Sequence, residues 1–459
     1  MIRIDSSITP NSLRGDVDRL FEHSARKIYS LQKSWKPEDG TPVFTVNGEY
    51  TSRGWTEWTQ GFQYGSAILQ FMATGDKKAL AIGQQGTRQL MASHVSHIGV
   101  HDHGFNNVST YGNLYQLAEA GAIDADAGDV AFYELALKLS GAIQAARWTD
   151  LPKGAGYIYS FNGPHSLFAD TIRSLRVLAL SHRFGHALMG ERDQRISLLE
   201  RLLKHAETTA QYNVYFGKGR DLYDVRGRVA HESIFNLNDG SYRCPSTQQG
   251  YSPFSTWTRG LAWILCGYAE QIEFLDTLSD AELRPLGGKQ KTINRFIEVA
   301  SAVADFFINE TPTDGIAYWD TGAPGLAKLG DYLDRPADPF NEFEPVDSSA
   351  SAIAAQGYIR LGNYLNRKRS PRAGARYLST GLTITKTLLS EPYLSTSRKH
   401  QGLLLHTVYH RPNGWDNIPA GRHVPCGESC MWGDYHVREL ALLIQRMAAG
   451  QYYTFFGEW

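Results

Sequence analysis

One pattern recurs six times along this chain and limits what it can fold into. A turn bearing Trp, Asp or Gly is followed each time by a long apolar segment of helical period. The turns are Trp58-Thr59-Gln60-Gly61, His101-Asp102-His103-Gly104, Phe168-Ala169-Asp170, Trp257-Thr258-Arg259-Gly260, Asp347-Ser348-Ser349 and Trp432-Gly433-Asp434. Between them lie further stretches with i, i+3, i+4 apolar spacing, over residues 78–95, 129–147, 196–212, 292–310 and 370–390. The post-turn segments are apolar over a broad face, as at Ile68, Leu69, Met72 or Ile172, Leu175, Leu178, which implies burial on more than one side. The intervening segments carry more charge and have one apolar face. Alternation of deeply buried with half-exposed helices predicts an inner ring and an outer ring, an all-α (α/α)6 barrel spanning residues 1–459 as a single domain. If the rings alternate up and down, the six turns share one rim. Helix N-termini would then face one mouth, an arrangement suited to an anionic ligand.

No Pro/Ser-rich linker divides the chain. Its irregular stretches run from Tyr215 to Ser255, Gly322 to Pro345 and His410 to Glu428. The first has β-branched and aromatic residues around Asn238-Asp239-Gly240, which predicts a short β-hairpin insertion. Long loops in a compact domain are usually functional. The 46 Lys and Arg against 47 Asp and Glu leave a net charge of -1, which argues against a nucleic-acid binder or a membrane-surface protein. No run is apolar enough for a membrane span. No basic, then apolar, leader opens the chain, so the expectation is a cytoplasmic protein, a monomer or a homodimer. Cys426 and Cys430 lack a second ligand pair, and HExxH, GxSxG, Walker A and GxGxxG are missing, so no metal site is expected.

The candidate chemistry sits in the turns. Asp102, Asp170, Asp347 and Asp434 each stand at a helix start, where an Asp usually caps backbone N–H groups. Four acids on one rim change that weighting, because two carboxylates facing one pocket split their pKa values. Leu167, Phe168, Ala169 and Ile172 would desolvate Asp170 and make it the proton donor, while Asp347 and Asp434 read as caps or supporting groups. Trp55, Trp58, Trp257, Trp263, Trp319, Trp415 and Trp432 fall at or near the mouth, where flat rings could stack on sugars. Trp58 and Trp257, in turns, suit a ligand better than Trp263, which suits a core. Gln249, Trp257 and Arg259 come together in one stretch. Arg259 could grip a carboxylate with two prongs or pair with a capping Asp. His101 and His103 read as a hydrogen-bonding pair. His406 and His410, four apart, could share a helix face and act as acid and base of an epimerase.

At these motifs the chain resembles the unsaturated glucuronyl hydrolases, glycoside hydrolase family 88, from about Trp55 to Tyr435. The matching pieces are W-T-Q-G-F with A-T-G-D, H-D-H-G-F, F-A-D-T-I-R-S-L-R-V-L, D-S-S-A-S-A-I-A-A and W-G-D-Y. The most specific is Q-Q-G-Y-S-P-F-S-T-W-T-R-G-L-A-W, similar to the family's HQGY…SxWxRGQAW, with Gln248 and Leu261 as departures. The resemblance implies an (α/α)6 barrel without a cofactor. It also implies an oligosaccharide substrate ending in a 4,5-unsaturated uronic acid. By resemblance Asp170 is the acid/base and Asp102 its partner. His231, Gln249, Trp257 and Arg259 match substrate-binding positions, with Trp58 added from its place in the first turn. The alternatives are another (α/α)6 carbohydrate enzyme, acting on saturated glycosides or epimerising sugars, and a non-catalytic sugar-binding relative.

Overall fold

In the computed structural model, which describes residues 1–54 and 57–456, a helix follows each of the six turns. These are Gln60–Thr74, His103–Asn107 with its continuation to Glu119, Thr171–Ser174 continued by Arg176–Arg183, Thr258–Thr277, Ser348–Lys368 and Met431–Ala448. Each packs on the next, and Met431–Ala448 packs on Gln60–Thr74, so the ring closes. Arg14–Ser34, Lys77–Leu90, Ala127–Ala146, Leu198–Tyr212, Lys289–Asn309 and Pro371–Leu388 cover its outside. The result is the expected (α/α)6 barrel. Arg14–Ser34, which the recurring pattern does not include, supplies the sixth outer helix. It buries a stripe of Val17, Leu20, Phe21, Ile28 and Leu31. Among the described residues no helix is long and apolar enough to cross a membrane.

Local chemistry sets the turnarounds. The A-T-G-D stretch ends the first inner helix on Gly75, whose φ of 73° is open to glycine at little cost. Asp76 then starts the outer helix by accepting the Lys78 and Ala79 N–H groups.

The barrel axis is not filled by apolar groups alone. Arg173 meets Glu270 at 2.8 Å and Glu439 at 3.1 Å, and Arg360 meets Glu273 at 2.8 Å, all buried. Long side chains reach across a space that Ala- and Gly-rich helix faces leave open, and each charge is paired because an unpaired one would be costly there. Periodicity counts these positions as polar and so misses them.

The expected hairpin forms within the first irregular stretch. Glu232–Phe235 pairs antiparallel with Tyr242–Ser246, and Gly240 turns the connection with φ of 70°. A third strand, Ser166–Phe168, pairs with Glu232–Phe235, with Phe168 opposite Glu232. The Ala169 N–H continues the ladder to the His231 carbonyl at 2.8 Å. This small sheet delivers Asp170 and His231 side by side, although 61 positions separate them.

Candidate active site

The turns meet at one end of the barrel around a cavity of about 360 Å3, within the range of small-ligand clefts. Its buried inner wall holds Asp102, Phe105, Asp170, Trp257, Arg259, Trp263, Tyr409 and His410. Its outer wall holds Glu57, Trp58, His97, Phe161, Asn413 and Trp415, all half-buried or exposed. Gln248 and Gln249 lie between.

Asp102 and Asp170 both occupy the residue before a helix, yet neither carboxylate caps it. The capping role that a lone Asp would be given therefore fails at both. They are joined instead through His101, whose Nε2 lies 3.3 Å from Asp170 Oδ1 and 3.6 Å from Asp102 Oδ1. His101 is held between Phe161 and Phe168. Its backbone carbonyl accepts Ser174 Oγ at 2.8 Å and Gln144 Nε2 at 2.7 Å. The sequence reading gives His101 only a hydrogen-bonding role beside His103, and its adjacency to Asp102 is the signal that could have placed it in the site.

The proton order differs from expectation. Burial pushes the Asp102 carboxyl up; His101 pulls it down and the Asp170 charge pushes it further up, for a net rise. Burial pushes Asp170 up too, but the hydrogen bond and charge of His101 overcome this and hold it below the usual range. His101 itself is raised, because the charges of Asp102 and Asp170 outweigh its burial. The apolar neighbours of Asp170 do bury it. What they do not reveal is an imidazole from another segment on its oxygen. Of the two carboxyls, Asp102 is thus the one whose surroundings favour its protonated form and Asp170 the one whose surroundings favour its charge.

Arg259 keeps its place in the wall but not as an open fork. Nη1 meets Asp347 Oδ2 at 2.5 Å and the Val408 carbonyl at 2.5 Å. Nη2 meets Gln249 Oε1 at 3.2 Å and the Tyr409 carbonyl at 2.8 Å. The capping-Asp alternative is the one realised, since Asp347 also caps its helix at Ser349 N. Gln249 lines the cavity with its oxygen on Arg259. The Arg259 guanidinium lies over the rings of Trp257 at 4.7 Å and Trp432 at 4.9 Å.

His231 does not reach the cavity wall. It lies behind Trp257 and Phe168, and its Nδ1 accepts the Gln248 and Gln249 N–H groups at 3.0 and 3.3 Å. Burial brings it down to about 4, so it is neutral near pH 7. Through Nδ1 it supports the glutamine loop, while its buried Nε2 has no hydrogen-bond partner among the described residues.

Asp347 and Asp434 take the capping or supporting places read for them: Asp347 is committed to Arg259 and to Ser349 N, and Asp434, inside its helix, accepts the Leu403 and Leu404 N–H groups and the Tyr50 hydroxyl. One further expectation is corrected. His406 and His410 share no helix face. The segment around them is irregular, and His406 turns to the Gly427 N–H while His410 alone lines the cavity.

Of the tryptophans, Trp58, Trp257, Trp415 and also Trp263 line the cavity. Trp263 is both packed against Phe105 and part of the wall. Trp319 bonds Glu344 and Trp432 bonds Ser349 behind the wall, and Trp55 lies outside the described residues. The Gly322–Pro345 stretch supplies no lining residue among those described, whereas His410–Glu428 supplies three. No group of three His, Cys, Asp or Glu among the described residues is arranged to hold a metal ion.

No family model matches the chain. It is similar to a curated unsaturated glucuronyl hydrolase of Bacillus sp. (strain GL1), 27% identical over 224 residues, and there it spans 49% of this chain and about half of the relative, 48%. An unsaturated chondroitin disaccharide hydrolase of Streptococcus agalactiae serotype III (strain NEM316) is 23% identical over 434 residues, covering 92% of this chain and 90% of the relative. Among solved structures, an unsaturated glucuronyl hydrolase specific for heparin superposes with a TM-score of 0.70 at 20% identity, covering 96% of this chain and all of the other. An aspartate-to-asparagine variant of the Streptococcus agalactiae enzyme, complexed with dGlcA-GalNAc6S, superposes with a TM-score of 0.63 at 20% identity over 96% of each chain. The structural likenesses establish the barrel fold.

Proposed function

We propose that the chain is a member of the unsaturated glucuronyl hydrolase family, to which it is similar at 27% and 23% identity, and that it removes a 4,5-unsaturated uronic acid from the non-reducing end of lyase-generated oligosaccharides. One observation carries the reading: two uncapped carboxylates, Asp102 and Asp170, face one sugar-sized cavity with His101 between them. We read residues 1–459 as one catalytic domain, a monomer or homodimer. Its four unpaired cysteines suit the cytoplasm.

The chemistry follows from the substrate. An enol ether needs no displacement at the anomeric carbon. A carboxyl group delivers a proton to C4, and positive charge develops at C5 and the ring oxygen. Water adds at C5 while the same carboxylate takes its proton. The hemiketal then opens to a ketone, leaving a hemiacetal at C1 that releases the alcohol of the next sugar. Asp170 is the acid/base in this reading. Between turnovers His101 holds the labile proton beside it, and a bound uronate adds negative charge that favours its transfer to Asp170. Asp102, 3.6 Å from the same imidazole nitrogen, sets that balance. Gln249 and the field of Arg259 face the uronate carboxylate, and Trp58 and Trp257 offer stacking faces.

The test is a panel of lyase-digested glycans followed by loss of the ultraviolet absorbance of the double bond. The wild type consumes at least one digest, and Asp170→Asn loses that activity while staying folded. Equal cleavage of a saturated glucuronide would favour an ordinary glycosidase. Tight binding without any product would favour a non-catalytic relative.

A further inference from the structure

We infer that the cavity selects an uncharged second sugar, and that Glu57 is the residue that turns sulfated ones away. The inference rests on the hydrolase reading and names the substrate class of that site. Charge is unevenly distributed along the wall. Arg259 is the one Lys or Arg among the described lining residues, and it lies deep, with its charge answered by Asp347 at 2.5 Å. Arg147, close enough to influence Asp102, is buried and donates to the carbonyls of Tyr159 and Ser160. Arg53 lies on the ring of Trp415, 5.6 Å from its centroid, outside the lining. Trp55 and Thr56, beside Glu57 but outside the described residues, carry no charge in any position.

The outer wall, where the sugar after the uronate must sit, therefore presents Glu57 as its only Asp, Glu, Lys or Arg among the described residues. Around it are Trp58, Trp415, Asn413 and the His97 ring, whose Nδ1 accepts the Gly99 N–H at 3.0 Å. His410, at the inner edge, is brought down to about 4 by its burial and by the charge of Arg259, so it offers no cation near pH 7. A neutral ring can stack on these faces and give its hydroxyls to Glu57 and Asn413. A sulfate ester there meets the Glu57 carboxylate, while the Arg53 guanidinium is engaged with Trp415, lying over its ring and donating to its carbonyl at 3.3 Å.

The experiment uses the full chain and two unsaturated disaccharides, dGlcA-GalNAc and dGlcA-GalNAc6S, which differ only in the sulfate. Both kcat/KM for the wild type and Kd for Asp170→Asn, read by tryptophan fluorescence, are measured for the pair. The unsulfated sugar is expected to win by at least tenfold in each. Glu57→Gln, which keeps shape and removes charge, is expected to shrink that ratio by at least threefold, and added salt to shrink it in the wild type. Equal or better use of the sulfated sugar overturns the inference, as does a ratio that Glu57→Gln leaves unchanged. If neither is hydrolysed but Asp170→Asn still prefers the unsulfated sugar, the hydrolase reading falls and the selectivity stands. If neither binds, both fall.

Discussion

Gly104 lies so close to Ser174 that a Cβ on the glycine would run into the Ser174 carbonyl. The Gly104 N–H donates to Ser174 Oγ at 2.9 Å, and Ser174 Oγ in turn donates to the His101 carbonyl at 2.8 Å. This backbone contact brings the helix after Asp102 against the helix after Asp170, and so puts both acids on one cavity. Gly104→Ala should cost at least about 2 kcal/mol of stability, in the range of overpacked cores. It should also lower turnover by spreading the His101–Asp170 pair. Thermal unfolding and the double-bond assay on one preparation check both.

Asp102→Asn should lower turnover by about 10²- to 10⁴-fold, the usual weight of general acid–base assistance. Its unfolding midpoint should hold or rise, because burial already disfavours the charged carboxylate at this position. A variant with wild-type turnover would remove Asp102 from the proton balance.

His101 is raised above its ordinary 6.5, so the folded protein favours its charged form. A raised value contributes stability that is complete below about pH 6.5 and fades as pH climbs through the folded-state value. The stability gap between wild type and His101→Asn should therefore be largest in mild acid and narrow in the alkaline range. Denaturant melts at several pH values read this out.

Glu428 has the opposite sign. Burial pushes it up, but hydrogen bonds from His400, Thr45 Oγ1 and the Gly48 N–H win and bring it down to about 2, from 4.5. A lowered value contributes stability present above pH 4.5 and lost as pH falls toward 2. The gap between wild type and Glu428→Gln should be a few kcal/mol at pH 7, at about 1.4 kcal/mol per unit. It should shrink over that acid window, again by denaturant melts.

Arg259→Lys should fail to substitute. A single ammonium cannot hold Asp347, Gln249 and the carbonyls of Val408 and Tyr409 together. Stability should fall by about 3 kcal/mol, as when a buried pair loses its partner. KM should rise as the Gln249 amide loses its anchor. Melting and kinetics of the variant, with Gln249→Ala for comparison, separate the two effects.

The barrel was legible because its signals are local. Six turns, each followed by a segment apolar on a broad face, need only a helix period and a count to imply a double ring, and Asn238-Asp239-Gly240 needs only turn chemistry to imply a hairpin. The residues of the mouth were legible for the same reason, as members of those turns. The charges on the barrel axis, the placement of His231 behind the wall and the commitment of Arg259 were not, since each depends on a partner from a distant segment. The same holds for the proton. Asp170 looks like the acid when only its sequence neighbours are counted, because burial is all that they supply. The tertiary structure adds an imidazole from 69 positions away at 3.3 Å, and electrostatic energy follows distance in space rather than along the chain.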